Sequence, residues 1–103
     1  MKELNIDGKT ITIDDEGYLT DSAAWNENVA KELAKAEGLE LTDKHLEVLK
    51  FLRDAYNNGE ALTIRKVGKS GIVNIKEFYT LFPKGPLKLS SKLAGLPKPT
   101  SCV

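Results

Sequence analysis

The spacing of apolar residues changes character once along this chain of 103 residues, and that change limits the fold to one class. From Leu4 to Ile13, apolar and polar residues alternate on both sides of Asp7-Gly8. A period of two belongs to an extended strand, and Asp-Gly supplies the positive φ angles of a tight type I′ turn. The segment therefore predicts a β-hairpin with Ile6, Ile11 and Ile13 facing the core. A further short extended piece is expected at Tyr18-Leu19, after the turn Asp15-Glu16-Gly17. From residue 20 onward the apolar spacing is that of amphipathic helices. The expected fold is α+β: a small N-terminal β-hairpin or meander packed on an array of about five helices.

Punctuation along the chain places those helices. Thr20-Asp21-Ser22 offers capping oxygens to a first helix, with Trp25, Val29, Leu33 and Ala36 as its apolar stripe and Gly38 as its stop. Thr42 caps a second, whose apolar face is Leu46, Leu49, Phe51, Leu52 and Tyr56 and which Asn57-Asn58-Gly59 closes. Leu62, Ile64 and Val67 mark a short helix or an irregular apolar segment interrupted by Gly68. Ile72, Ile75, Phe78, Tyr79 and Phe82 predict a third clear helix, stopped by Pro83. Pro86 at the first helical position opens a short helix over Leu87 to Leu93, and Gly95 ends it. Residues 1–95 are thus expected to form one globular domain. Residues 96–103 are expected to be a flexible arm, because Pro97 and Pro99 remove donors and hold the backbone extended. Such an arm reaches at most ~28 Å at about 3.5 Å per residue.

Composition removes most familiar chemistry. A length near 100 residues allows one core that buries about two thirds of the unfolded surface, so no staple is obligatory. One cysteine, Cys102, and one histidine, His45, disfavour a zinc site, a Cys-His-Asp triad and a disulfide scaffold. The phosphate and metal motifs G-x-x-x-x-G-K-[ST], G-x-G-x-x-G and H-E-x-x-H are absent. No cofactor and no metal are expected. No apolar run approaches 18 residues, and Met1-Lys2-Glu3-Leu4-Asn5 does not open a signal peptide, so a cytoplasmic chain without membrane attachment is expected.

The net charge of zero conceals an asymmetry. Residues 1–43 carry eleven Asp or Glu against four Lys, whereas residues 44–103 carry eleven Lys or Arg against four acids. This pattern fits either charge complementarity within the domain or a basic surface facing a partner. Arg65, Lys66, Lys69 and Lys98 are the candidate docking residues of such a surface. Trp25 is assigned to the core and His45 to a solvated position in the first turn of its helix.

Cys102 is the one residue left with reactive chemistry. A penultimate cysteine on a proline-containing tail has little chance of burial in its own core. No base stands beside it in the sequence, and the C-terminal carboxylate tends to raise its pKa while Lys98 tends to lower it. The pattern fits a thiol delivered by an arm into a partner's site, where its reactivity is completed.

Leu81-Phe82-Pro83-Lys84-Gly85-Pro86, followed by Lys92-Leu93-Ala94-Gly95-Leu96-Pro97-Lys98-Pro99-Thr100-Ser101-Cys102-Val103, resembles the C-terminal signature of the DsrC/TusE family. This family comprises gamma-subunit-like proteins of dissimilatory sulfite reductase and sulfur carriers of tRNA 2-thiouridine synthesis. The similarity continues upstream through Asp14-Asp15-Glu16-Gly17-Tyr18-Leu19, Trp25-Asn26-Glu27, Val29-Ala30, Leu41-Thr42, His45 and Phe51-Leu52-Arg53. It implies a hairpin or meander on helices, with an arm that presents Cys102 to accept sulfur as a persulfide and pass it on. The chain would then be a sulfurtransferase-type carrier rather than a self-sufficient enzyme. Its partners would be sulfur-donor and sulfur-acceptor proteins: sulfurtransferases, a tRNA-thiolation enzyme or a sulfite reductase.

Two positions depart from the family pattern. Sulfite-reductase-linked members carry a second cysteine eleven positions before the penultimate one, where this chain has Ser91. The usual glycine before the cysteine is Ser101 here. A hydroxyl cannot close the disulfide or trisulfide of the paired members, which favours the single-cysteine carrier over the alternative of a gamma-type subunit or substrate protein of a sulfite reductase complex. A second alternative, a DNA-binding regulator, follows from the likeness of the family's middle helices to a helix-turn-helix. Zero net charge and the lack of an evident base-reading helix argue against direct nucleic-acid binding.

Overall fold

The computed structural model describes residues 1–99. Strands β1 (Lys2–Ile6) and β2 (Lys9–Ile13) pair antiparallel, with Leu4 opposite Ile11 and Ile6 opposite Lys9. Asp7 and Gly8 join them at φ 54° and 77°, the two positive values that a type I′ turn demands. Leu4, Ile6, Ile11 and Ile13 share the inner face, as the alternation predicts. An isolated bridge from Ile13 to Leu19 extends the hairpin toward a meander. It is reached through a turn in which the Asp14 carboxylate accepts from the Glu16 and Tyr18 amides.

A 3₁₀ turn (Ser22–Ala24) and five helices follow: α1 (Glu27–Ala36), α2 (Asp43–Asn57), α3 (Ile64–Gly68), α4 (Ile75–Leu81) and α5 (Pro86–Leu93). The fold class read from the sequence is the one observed. α5 is the hub, packed against α1, α2 and α4, and Leu87, Leu93 and Leu96 around it are fully buried. Phe78 and Phe82 meet edge-to-face at 5.6 Å beneath it. Fully burying an aromatic ring or a leucine contributes about 1.5 to 3 kcal/mol each, so this contiguous cluster outweighs any single polar contact in the fold.

Local boundaries differ from expectation where a polar side chain captured the backbone first. The first helix does not run from residue 20 through Trp25. Asp21 caps only the 3₁₀ turn, and Asn26 starts α1 by accepting from the Val29 amide, leaving Trp25 extended between the two. Trp25 is therefore half-buried against the core rather than one rung of a helical stripe. In the same way Asn74 and Glu77 form a reciprocal capping box that starts α4 at Ile75, not Ile72. The seven residues of α4 turn Phe78 inward, and Ile75 and Tyr79 are 47% and 49% exposed instead of core. Tyr56 of α2 is likewise exposed.

His45 reverses the expectation of a solvated surface residue: it is 5% exposed. Its Nδ1 accepts from the Thr42 amide at 3.1 Å, which completes the α2 cap. That leaves Nε2 as the donor to the Leu81 carbonyl at 2.8 Å, and the ring lies edge-on to Phe82 at 5.0 Å. One imidazole thus joins the start of α2 to the end of α4.

Candidate functional site

The C-terminal end of α5 is where the domain hands over to the tail, and its geometry is over-determined. The Leu96 amide donates to the Ser91 carbonyl at 3.0 Å and the Gly95 amide to the Lys92 carbonyl at 3.1 Å, a Schellman stop. Side chains from elsewhere in the chain reach the last carbonyls. Trp25 Nε1 donates to Leu93 O at 2.8 Å, and Arg53 Nη1 to Ala94 O at 2.8 Å. The same guanidinium donates to both the hydroxyl and the carbonyl oxygen of Ser22 and stacks 4.5 Å above the Trp25 ring. A cation at a helix C-terminus meets the negative end of the macrodipole, and its hydrogen bonds are charge-assisted. Burial pulls the Arg53 pKa below its ordinary value, with nearby Asp54 acting in the opposite direction.

Gly95 completes the lock. Its φ is +70°, and a Cβ there would stand 2.7 Å from Trp25 Cδ1 and 2.8 Å from Leu19 Cδ1. Backbone conformation and space both require glycine. Leu96, which the sequence reading placed at the start of the arm, is fully buried. Pro97 and Lys98 are exposed and Pro99 is half-buried.

This last described segment lies between two surface depressions. Pro97 to Pro99 form one wall of the first, of about 480 Å³, opposite Tyr56, Leu62 and Thr63. On the other side Lys98 Nζ pairs with Glu16 Oε2 at 3.0 Å, at the edge of a cleft beside α5. The buried Tyr18 sits in that cleft, its hydroxyl donating to the Lys88 carbonyl at 3.4 Å. Burial raises the Tyr18 pKa above its ordinary value, Glu16 adds to the rise, and Lys98 opposes it.

Of the candidate docking residues, Arg65 and Lys66 lie on α3 and Lys69 caps its end. All three border a depression of about 540 Å³, and Lys66 pairs with Glu60. Glu60 and Thr63 also line the depression under Pro97 to Pro99, so this cluster and the start of the tail share a border. Lys98 stands across that border, engaged with Glu16. Cys102 lies outside the described residues, as does the rest of the expected arm from Thr100 onward. Among the described residues no cluster of three His, Asp or Glu side chains is placed to hold a metal ion. No helix among them is long and apolar enough to cross a membrane.

Ser91, at the position of the paired cysteine in sulfite-reductase-linked relatives, is fully buried on α5. Its hydroxyl has no hydrogen-bond partner among the described residues.

Neither Arg53 nor Trp25 was expected to hold this end of α5. A signal was present for Arg53, which stands four residues after Leu49 and seven after Leu46 on the core-facing stripe of α2. A cation on an apolar stripe has a buried partner to reach. Nothing local signals the Trp25 bond, whose acceptor is 68 residues away.

A β-hairpin on five helices, with α5 ending in a fixed platform and a proline-punctuated tail beyond it, defines a small α+β domain with a fixed exit for its tail. The family described as DsrC like protein matches residues 5–103. Sulfurtransferase TusE of Pectobacterium atrosepticum is 43% identical over 97% of this chain and 99% of its own length. Sulfurtransferase TusE of Escherichia coli K12 is 41% identical over the same shares. Among solved structures, Allochromatium vinosum DsrC is 41% identical with a TM-score of 0.83, covering 98% of this chain and 97% of that one. The oxidized gamma-subunit of the dissimilatory sulfite reductase from Archaeoglobus fulgidus is 38% identical with a TM-score of 0.84, covering 99% of this chain and all of that one. The chain belongs to the DsrC-like family.

Proposed function

We propose that this protein is a sulfur carrier whose Cys102 accepts sulfur as a persulfide and relays it to a partner enzyme. The observation that carries this reading is a family match that runs through Cys102 to the last residue, with relatives named sulfurtransferase aligned over nearly their whole length. In the transfer step the Cys102 thiolate attacks the terminal sulfur of a donor persulfide. A new S–S bond forms at Cys102, the donor's S–S bond breaks, and the donor leaves as a thiolate. Delivery repeats the exchange with the acceptor, so no external oxidant or reductant enters the relay. The platform at Leu93 to Leu96 supports this role by fixing where the tail leaves the domain. Pro97 and Pro99 stiffen the first residues beyond it. Arg65, Lys66, Lys69 and Lys98 serve as docking cations around that exit.

The acceptor consistent with the TusE relatives is a tRNA-thiolating enzyme, and the compartment is the cytoplasm. A second reading, service to a sulfite reductase, is favoured by the solved structures of gamma-subunits with the same fold. Ser91 weighs against it, because the chain supplies no second thiol to resolve a bond to Cys102. Helices of five and seven residues at α3 and α4 offer little length for reading a DNA groove.

Incubation with a persulfide donor should add one sulfur, about 32 Da, that thiol reductant removes. Cys102→Ser should abolish the addition. An adduct that persists in the serine variant, or a wild-type chain that gains no mass, would overturn the carrier reading.

A further inference from the structure

The cleft beside α5 is built for more than closing the fold. Its volume is about 420 Å³, within the range of sites that hold part of a ligand. Lys84, Lys88 and Lys92 enter it from α5 and the residue preceding its cap, at successive spacings of four, and Lys98 enters from the tail. Lys88 and Lys92 lie one turn apart on α5, where like charges oppose helix formation. Two of the four lysines are neutralised inside the cleft: Lys92 by Glu37 at 3.0 Å and Lys98 by Glu16. Lys84 and Lys88 meet no carboxylate among the described residues. The cleft therefore carries surplus positive charge on one wall, while Leu39, Leu89 and Pro83 give it an apolar floor.

We infer that this cleft docks an acidic, leucine-bearing peptide segment of a partner protein, seated on Leu39 and Leu89 with its carboxylates on Lys84 and Lys88. The chemistry of the walls selects among polyanions. A nucleic-acid strand needs phosphate-neutralising cations along its path and aromatic faces for its bases. Here Glu16 and Glu37 would stand against the phosphates. The one aromatic ring, Tyr18, is buried with the Lys92 ammonium 5.4 Å from its centroid, so no face is open for stacking. A small sulfur oxyanion would call for converging buried donors, whereas Lys84 is exposed and Lys88 half-exposed. Mixed charge over an apolar floor is the pattern of a protein interface. Lys98 belongs to both the cleft and the tail, so a partner held here lies within a few residues of the chain leading to Cys102. The inference deepens the carrier reading by naming how a partner is held, and it does not depend on the thiol.

The test maps binding on the ¹⁵N-labelled full chain by amide chemical shifts. The probes are a synthetic peptide of about a dozen residues alternating Glu with Leu, the same peptide with Lys for Glu, and an oligouridine of equal length. The acidic peptide should shift amides of Tyr18, Gly38, Leu39, Lys84, Leu89 and Lys92, and the basic peptide should shift none of them. Lys84→Glu with Lys88→Glu should weaken the acidic peptide by about tenfold or more, as loss of a close charge pair does. If that variant fails to fold, Lys84→Ala with Lys88→Ala should weaken it in the same sense, and the wild-type map stands without either. Shifts centred on Arg65 to Lys69, no binding of the acidic peptide, or tighter binding of oligouridine at the cleft would each overturn the inference. Sulfur uptake by the wild-type chain from inorganic polysulfide is measured in parallel. Its absence would count against the carrier reading alone, and a misplaced peptide map against the docking cleft alone.

Discussion

At the scale of single residues, the platform beneath the tail rests on groups with no freedom to change. Gly95→Ala places a methyl against Trp25 and Leu19 at a left-handed φ. Strain and overpacking together should cost about 2 to 4 kcal/mol, read as a lower urea midpoint at unchanged slope. Ser91→Ala has the opposite expectation. It removes a buried hydroxyl that has no partner among the described residues, so stability should stay level or rise by up to about 1 kcal/mol. Tyr18 supplies a pH dependence whose sign follows from its raised pKa. The folded state holds the phenolic proton beyond the ordinary value of 10.0 while the unfolded chain releases it there. Its contribution is therefore whole below about pH 10 and is lost as pH climbs through the folded-state pKa. Unfolding midpoints measured between neutral and strongly alkaline pH should fall, and Tyr18→Phe should flatten that fall.

At the scale of elements, α2 and α4 are joined by His45, and the two ends should respond together. Thr42→Ala removes the hydroxyl that accepts from the His45 amide and should cost about 1 kcal/mol. His45→Gln disturbs the same cap and the bond to Leu81. Because the two side chains share one constellation, a double-mutant cycle should show coupling above about 0.5 kcal/mol, whereas Thr42→Ala combined with Asn26→Ala on α1 should be additive. The existence of α2 was legible from Thr42 and the stripe Leu46, Leu49, Leu52. The burial of its first turn was not, because a histidine three residues after a cap reads as solvated until a second helix end arrives to accept its other nitrogen.

At the scale of the whole molecule, the segregation of acid and base along the chain is partly folded back on itself. Lys50 pairs with Glu27, Lys92 with Glu37 and Lys98 with Glu16, each joining the basic second half to the acidic first. These pairs are wholly or partly exposed, where an ion pair contributes about 0 to 1 kcal/mol and salt screens it. Raising sodium chloride from 0.1 to about 1 M should therefore move the unfolding free energy by no more than about 1 kcal/mol. Binding of the acidic peptide at Lys84 and Lys88, the two cleft lysines that meet no carboxylate among the described residues, should fall steeply across the same range.

Local chemistry was enough to specify the hairpin, since Asp7-Gly8 and a period of two admit one register. The same holds for the caps at Thr42 and Pro86, where backbone restriction acts within a few residues. The motif from Leu81 to Val103 also sufficed to identify the family, which the match over residues 5–103 bears out. Tertiary structure alone decided which faces were buried on the shortest helices, because seven residues of α4 present two plausible stripes and only packing under α5 selects the one through Phe78. It alone brought Trp25 and Arg53 to the end of α5, across separations of 68 and 41 residues. Those bonds satisfy carbonyls that a helix end leaves orphaned, and no local pattern in the sequence says which distant donor will find them.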